Sequence, residues 1–156
     1  MVADVVDLTQ SISGHTITVG WLLESLREND KIFQTLHGQR FVKKFDAIDV
    51  SGGHGIMSEI IRCTLLFTDS IDETDVYTTI LKIPGTAALF KANSTSENND
   101  DELMQKMIKP IIDVHRAECK FYNSLAPILD VPVPKVYKTL DWIGRKAKMD
   151  AFIWRI

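Results

Sequence analysis

The hydrophobic pattern along this chain changes period several times, and each change marks an element. Residues 1–15 are weakly patterned and read as a loose lead-in. In "TITVGWLLESLREND", Val19, Leu22, Leu23 and Leu26 recur at helical spacing, which predicts a helix with Thr16 or Thr18 as N-cap, ended by Asn29-Asp30. "RFVKKFDAIDV" (40–50) reads as a strand with a ragged start. After the glycine-rich "SGGHGIM", "MSEIIRCTLLFT" alternates with period two. Met57, Glu59, Ile61, Cys63, Leu65 and Phe67 share one face, and Ser58, Ile60, Arg62, Thr64, Leu66 and Thr68 the other. "DSIDETD" (69–75) is an acidic turn, and the β-branched "VYTTILKIPG" (76–85) is a third strand closed by Pro84-Gly85. Residues 40–85 therefore predict a three-stranded antiparallel meander.

Beyond it the pattern turns polar. Residues 91–102, "KANSTSENNDDE", read as an exposed flexible loop. "ELMQKMIKPIIDVHRAECKFYNSLAP" is helical in pattern but interrupted by Pro110. Proline suits the first turn of a helix, so the expectation is a helix from about 110 to 125, stopped near Pro127. "DVPVPKVYKTL" (130–140) carries two prolines and then a short strand, and the last residues predict a turn around Gly144 and a final strand. The expected class is α+β, with an N-terminal helical lead-in (1–39) and a second unit (40–156) of antiparallel sheet and packed helix.

Composition narrows the function classes. The 156 residues are 45% hydrophobic and 25% charged, with a net charge of −3 and a pI near 5.8. That excess of acid disfavours a nucleic-acid or anionic-membrane binder, since both want a basic face. There is no apolar run long enough for a transmembrane helix and no basic region ahead of an apolar core at the N-terminus. Two cysteines, Cys63 and Cys119, make neither a disulfide framework nor a metal site. A cytoplasmic setting is the expectation, in which the glycosylation-like "NSTS" at 93–96 is simply loop.

Three features are out of place. Glu118 has Ile111, Val114, Tyr122 and Leu125 at its i−7, i−4, i+4 and i+7 positions, so it interrupts an apolar helix stripe. A buried carboxylate needs a cation; alternatively the stripe is wider and Glu118 lies at its wet edge. Lys82 is the lone charge in "TTILKIPG", either set toward an anion or serving as an edge-strand lysine that blocks aggregation. Gly53, Gly55 and Ser58 match a G-x-G-x-x-S spacing. Glycines let backbone N–H groups approach a phosphate, but a glycine-rich hairpin bend accounts for the same letters. The loop leads into a strand rather than a helix, which argues against the dinucleotide-binding fingerprint and the P-loop; a strand–glycine loop–strand is instead the arrangement of protein kinases.

Taken together, "GGHGIMSEIIRCTLLF", "TTILKIPG" and "HRAECKFYNSL" resemble blocks of the choline/ethanolamine-kinase and aminoglycoside-phosphotransferase superfamily, a protein-kinase-like fold. The nearest likeness is to its CHK-kinase-like branch, which includes ecdysteroid-kinase-like proteins. G-x-G-x-x-S corresponds to Gly53, Gly55 and Ser58; L-K-x-P to Leu81 through Pro84; H-x-x-E-x-x-F-Y to His115, Glu118, Phe121 and Tyr122. "VPVPKVY" resembles the stretch leading toward the hinge, and the likeness covers about 40–140. It implies an N-terminal ATP-binding lobe in which Lys82 holds the nucleotide phosphates and Glu118 holds Lys82. The implied cofactor is ATP, with Mg only if a C-terminal lobe is supplied, and the implied partner in a full-length form is a small hydroxyl substrate. His115 either bonds near Glu118 or packs as a neutral core histidine.

The chain departs from that family in one decisive respect. Its H-x-D-x-x-x-x-N catalytic loop and later metal-binding aspartate belong to a second lobe, and the residues two places after His15, His37, His54 and His115 are Ile17, Gln39, Ile56 and Ala117. The expectation is a truncated kinase-like N-lobe that is not catalytic alone. The alternatives are a degenerate nucleotide-binding or protein-interaction module, and a plain α+β domain unrelated to kinases.

Overall fold

The fold is that of a computed structural model, which describes residues 3–52, 58–85, 101–130, 132–140 and 152–155. Helix α1 spans Val19–Asn29 and α2 Lys31–His37. Strands β1 (Val42–Asp49), β2 (Ser58–Phe67) and β3 (Val76–Pro84) follow, then helix α3 (Asp101–Lys120) and strands β4 (Lys135–Thr139) and β5 (Phe152–Arg155). All pairings are antiparallel and the order is β1-β2-β3-β5-β4. The expected meander is present, and β5 and β4 extend it past β3. The class is α+β.

Period two decides which side chains share a face. Ile61, Cys63, Leu65 and Phe67 of β2 join Tyr77, Leu81 and Ile83 of β3 in one core, closed by Val19, Leu22, Leu23 and Leu26 of α1 and by Phe33 of α2. Each fully buried leucine or phenylalanine contributes about 1.5–3 kcal/mol relative to exposure. Ile80 is buried too, but it belongs to the alternate set with Lys82 and Pro84 that faces α3. β3 is thus covered on both sides, which explains its nearly continuous apolar run.

α1 begins where the pattern places it: Thr18 caps it and its oxygen accepts from the Trp21 N–H at 3.2 Å. Its end also starts α2, a helix the hydrophobic pattern does not announce. Asp30 closes α1 through its own N–H to the Leu26 carbonyl, while its Oδ1 accepts from the Ile32 and Phe33 amides at 2.9 and 3.1 Å. Asp30 is completely buried, and its other oxygen accepts from the Tyr77 hydroxyl.

The lead-in is not loose. Asp4 accepts three bonds from Arg27 at 3.0–3.1 Å and another from the Val42 amide at 2.8 Å. Ile12 is fully buried in the core. Gly20 donates to the Leu8 carbonyl at 2.9 Å, and a Cβ at this glycine would lie 2.9 Å from the same oxygen, so only glycine admits the crossing. Weak periodicity is the expected signature of a segment held by such single ties rather than by a ladder or a helix stripe.

The acidic turn is organised by Arg40. Its guanidinium meets Asp69 at 2.8 Å and Asp75 at 2.7 and 3.0 Å, and lies 4.2 Å over the Phe67 ring. The hydrogen bond from Arg40 holds the Asp75 carboxyl below its ordinary value.

α3 differs from its expected form. It starts at Asp101 and runs through Pro110, which has no N–H to give to the carbonyl four residues back. It passes at Phe121–Leu125 into one π-helical turn, then a short 3-10 turn at Ala126–Ile128. Of the expected 91–102 loop, 91–100 lie outside the described residues, as does the expected turn at Gly144. The expected last strand is β5, and no helix among the described residues is long and apolar enough to cross a membrane.

Two predictions follow from these ties. Asp30→Ala lowers unfolding stability by about 2–3 kcal/mol, since a cap and a buried acceptor are lost together, and Asp30→Asn recovers at least half, both read from urea unfolding. Because the Asp75 carboxyl is lowered in the folded state, its contribution is present above the ordinary carboxylate pKa and is lost as pH falls below about 4. Asp75→Asn therefore flattens the acid limb of a stability–pH profile, measured by denaturant titration from about pH 6 to pH 3.

Candidate functional site

Lys82 lies on β3 with β2 on one side and β5 on the other, so it is a central-strand residue and not an edge lysine. Its direct neighbours in register are Ile60 of β2 and Phe152 of β5. The Lys82 side chain there is only 14% exposed. α3 answers it. Lys82 Nζ donates to both Glu118 carboxylate oxygens, at 2.5 and 2.7 Å, with the side chains 14% and 34% exposed. Exposures of that size put the pair between the surface and buried regimes.

The helix face that delivers Glu118 is rotated from the expected stripe. Ile111, His115 and Cys119 are the buried positions, while Val114 and Leu125 are about half exposed. Glu118 therefore stands at the flank of the packed face and reaches inward. The two expectations for it, cation partner and wet edge, describe the same geometry. Its carboxylate also bears on Tyr122: burial first, then the charge of Glu118, raise the phenol above its ordinary value.

His115 does not pair with Glu118. Its Nε2 meets the Leu140 carbonyl at 2.9 Å, and because a carbonyl only accepts, Nε2 carries the proton. Cys119 Sγ lies 3.5 Å from the same nitrogen. His115 is 2% exposed and ties α3 to the end of β4. Its burial and packing are those of the second expectation.

Ser58 opens β2 opposite Pro84. With Lys82, Pro84, Ile111, Val114, His115 and Glu118 it lines a cavity of about 190 Å³. Ser58, Lys82 and Pro84 line it from the sheet and Ile111, Val114, His115 and Glu118 from α3, so the ion pair spans it. The structure thus brings together Ser58, Lys82 and Glu118 from three elements. Gly53 and Gly55 lie outside the described residues. The stretch containing them joins β1 to β2, whose ladder is carried one step further by the Val50 amide bonded to the Ile60 carbonyl at 2.8 Å. Sequence reasoning missed Ile111 and Pro84 as walls, and the i−7 offset of Ile111 from Glu118 was the available signal for the first.

The cavity is smaller than the ~300–1,000 Å³ of pockets that enclose drug-sized ligands. Among the described residues no group of three or more histidine, cysteine or acidic side chains could hold a metal ion. Comparison of the chain with protein-family models, with curated proteins and with solved structures found no match.

The ion pair generates a thermodynamic prediction. Glu118→Gln puts a neutral amide in place of the carboxylate beside a largely buried ammonium and lowers stability by about 1–3 kcal/mol. Lys82→Met combined with Glu118→Leu costs less than Glu118→Gln alone, because an apolar pair replaces a desolvated one. Urea unfolding of the three variants checks the order.

Proposed function

We propose that this chain is a nucleotide-binding lobe that holds the phosphates of ATP, of the kind used by hydroxyl-directed small-molecule kinases. The observation that carries the reading is the ion pair between Lys82 on a central strand and Glu118 on the helix behind it, at 2.5 and 2.7 Å. In protein-kinase-like catalysis a strand lysine paired with a helix glutamate is the element that meets the phosphates.

The donor set of the cavity suits that ligand. An ammonium and a hydroxyl converge from Lys82 and Ser58, and a phosphate accepts from both. Glu118 fixes where the ammonium sits before a ligand arrives, which lowers the ordering cost of binding. Ile60, next to Lys82 in register, shares its face of the sheet and offers an apolar surface beside the phosphate position for a base to lie on. The glycine spacing Gly53-x-Gly55 immediately ahead of Ser58 supplies backbone N–H groups of the type that cradle phosphates.

Binding is the whole of the activity proposed for these residues. Phosphoryl transfer needs a group to orient the attacking hydroxyl and carboxylates to hold Mg²⁺. No histidine in residues 1–156 is followed two places on by aspartate. Mg²⁺, where a catalytic lobe supplies its ligands, would neutralise phosphate charge; Lys82 would bind and orient the phosphates on this side.

Isothermal titration of the 1–156 chain with ATP tests the reading. The wild type gives saturable binding, and Lys82→Met weakens it at least about tenfold, the scale of one charge-assisted contact. Equal affinities of wild type and Lys82→Met would remove the lysine from the site and the reading with it.

A further inference from the structure

We infer that His15 is a positioning residue for the phosphate end of this cavity and acts through Glu59; the inference rests on the nucleotide reading and adds a control element to it. Ser58 and Glu59 are consecutive on β2, so their side chains leave opposite faces of the sheet. Ser58 enters the cavity beside Lys82 and Glu118. Glu59, on the far face, meets His15, with Nε2 and Oε2 2.9 Å apart and the side chains 10% and 27% exposed. Holding Glu59 holds the backbone from which Ser58 projects.

That backbone needs holding. The β1–β2 register ends at Asp49↔Ile61, with one further bond from Val50 to Ile60. At Ser58 and Glu59 the strand has, among the described residues, a pairing partner only on the β3 side. The His15 contact is a second attachment at this end of the strand.

His15 is presented on a rigid bracket. Residues Ile12–His15 form a turn in which the His15 N–H donates to the Ile12 carbonyl at 2.9 Å. Both central residues are left-handed, Ser13 at φ 50° and Gly14 at φ 79°. Glycine adopts that region freely, but serine does so at a cost, and here it stands two residues before the histidine it aims. The arms are tied by Ile12 N–H to the Ile17 carbonyl at 2.9 Å and by the Ser11–Thr18 bridge, which joins the bracket to the cap of α1. A carboxylate only accepts, so Nε2 donates to Glu59.

The test uses the full 1–156 chain with ATP as the titrant, alongside hydrogen exchange of the amides at 58–62. His15→Ala and Glu59→Ala each weaken ATP binding about threefold to tenfold and speed exchange at the start of β2, the scale of one hydrogen bond. The double variant is no weaker than the weaker single, since both remove one contact. His15→Gln, whose side-chain amide also donates, recovers at least half of the loss and serves where His15→Ala does not fold. Unchanged affinity and exchange in His15→Ala overturn the inference, and so does faster exchange spread over the whole chain. If wild type binds no ATP, the nucleotide reading fails, and exchange alone then decides His15: acceleration confined to the start of β2 upholds the contact's positioning role, and none overturns it.

Discussion

A charge on a central strand covered on both sides must be answered, and the rest of the candidate site follows from how Lys82 is answered. β3 has hydrogen-bonded strands along both edges and packing on both faces. An ammonium in that setting loses hydration that only a nearby anion replaces. The chain supplies the anion from α3, an element separated from Lys82 by 36 positions in sequence. The pairing sets the rotation of α3, because Glu118 has to point at β3 while Ile111, His115 and Cys119 fill the interface. It also leaves Ser58, one strand over and across from Pro84, facing the same small cavity.

The two faces of the sheet do different work. One holds the larger core, with α1, α2 and the N-terminal segment over β2 and β3. Its polar exceptions are satisfied locally: Asp30 closes one helix, opens the next and accepts from Tyr77, and Arg40 gathers the acids of the β2–β3 turn. The other face is open enough to leave a cavity. A chemical site tolerates such incomplete packing when a rigid core backs it, and β2 and β3 are shared by both faces. The N-terminal segment reaches from Arg27 and Val42 at one end to Glu59 at the other, so what reads as an appendage is a strap across the core side of the sheet.

The meander was legible from letters alone because period two survives wherever one face is dry. The β2 faces expected from alternation are those observed at Ile61, Cys63, Leu65 and Phe67. α1 and its Thr18 cap were legible for the same reason at period 3.6. The pairing of Lys82 with Glu118 was legible as a mutual need, two charges each misplaced in its own apolar run. Other features were not. α2 has one buried residue, Phe33, and so little amphipathic pattern to read. α3 runs through Pro110, where local preference predicts a start, because the chain on both sides of the proline remains helical. The bracket around Ser13-Gly14 left a turn-forming dipeptide as its trace, which weak flanking pattern obscured.

By itself, the sequence determined which residues are apolar at which period, and therefore three strands, one capped helix and two charges in want of partners. Those properties are local: each depends on neighbours within a few positions, where alternation and capping act. Only the tertiary structure decided that Lys82 is central rather than at an edge, which face α3 turns inward, that His115 bonds the Leu140 carbonyl, and that residues 4–15 strap the sheet. The reason is the same in every case. Strand order, helix rotation and single long-range hydrogen bonds join residues far apart in sequence, and no periodicity along the chain records them.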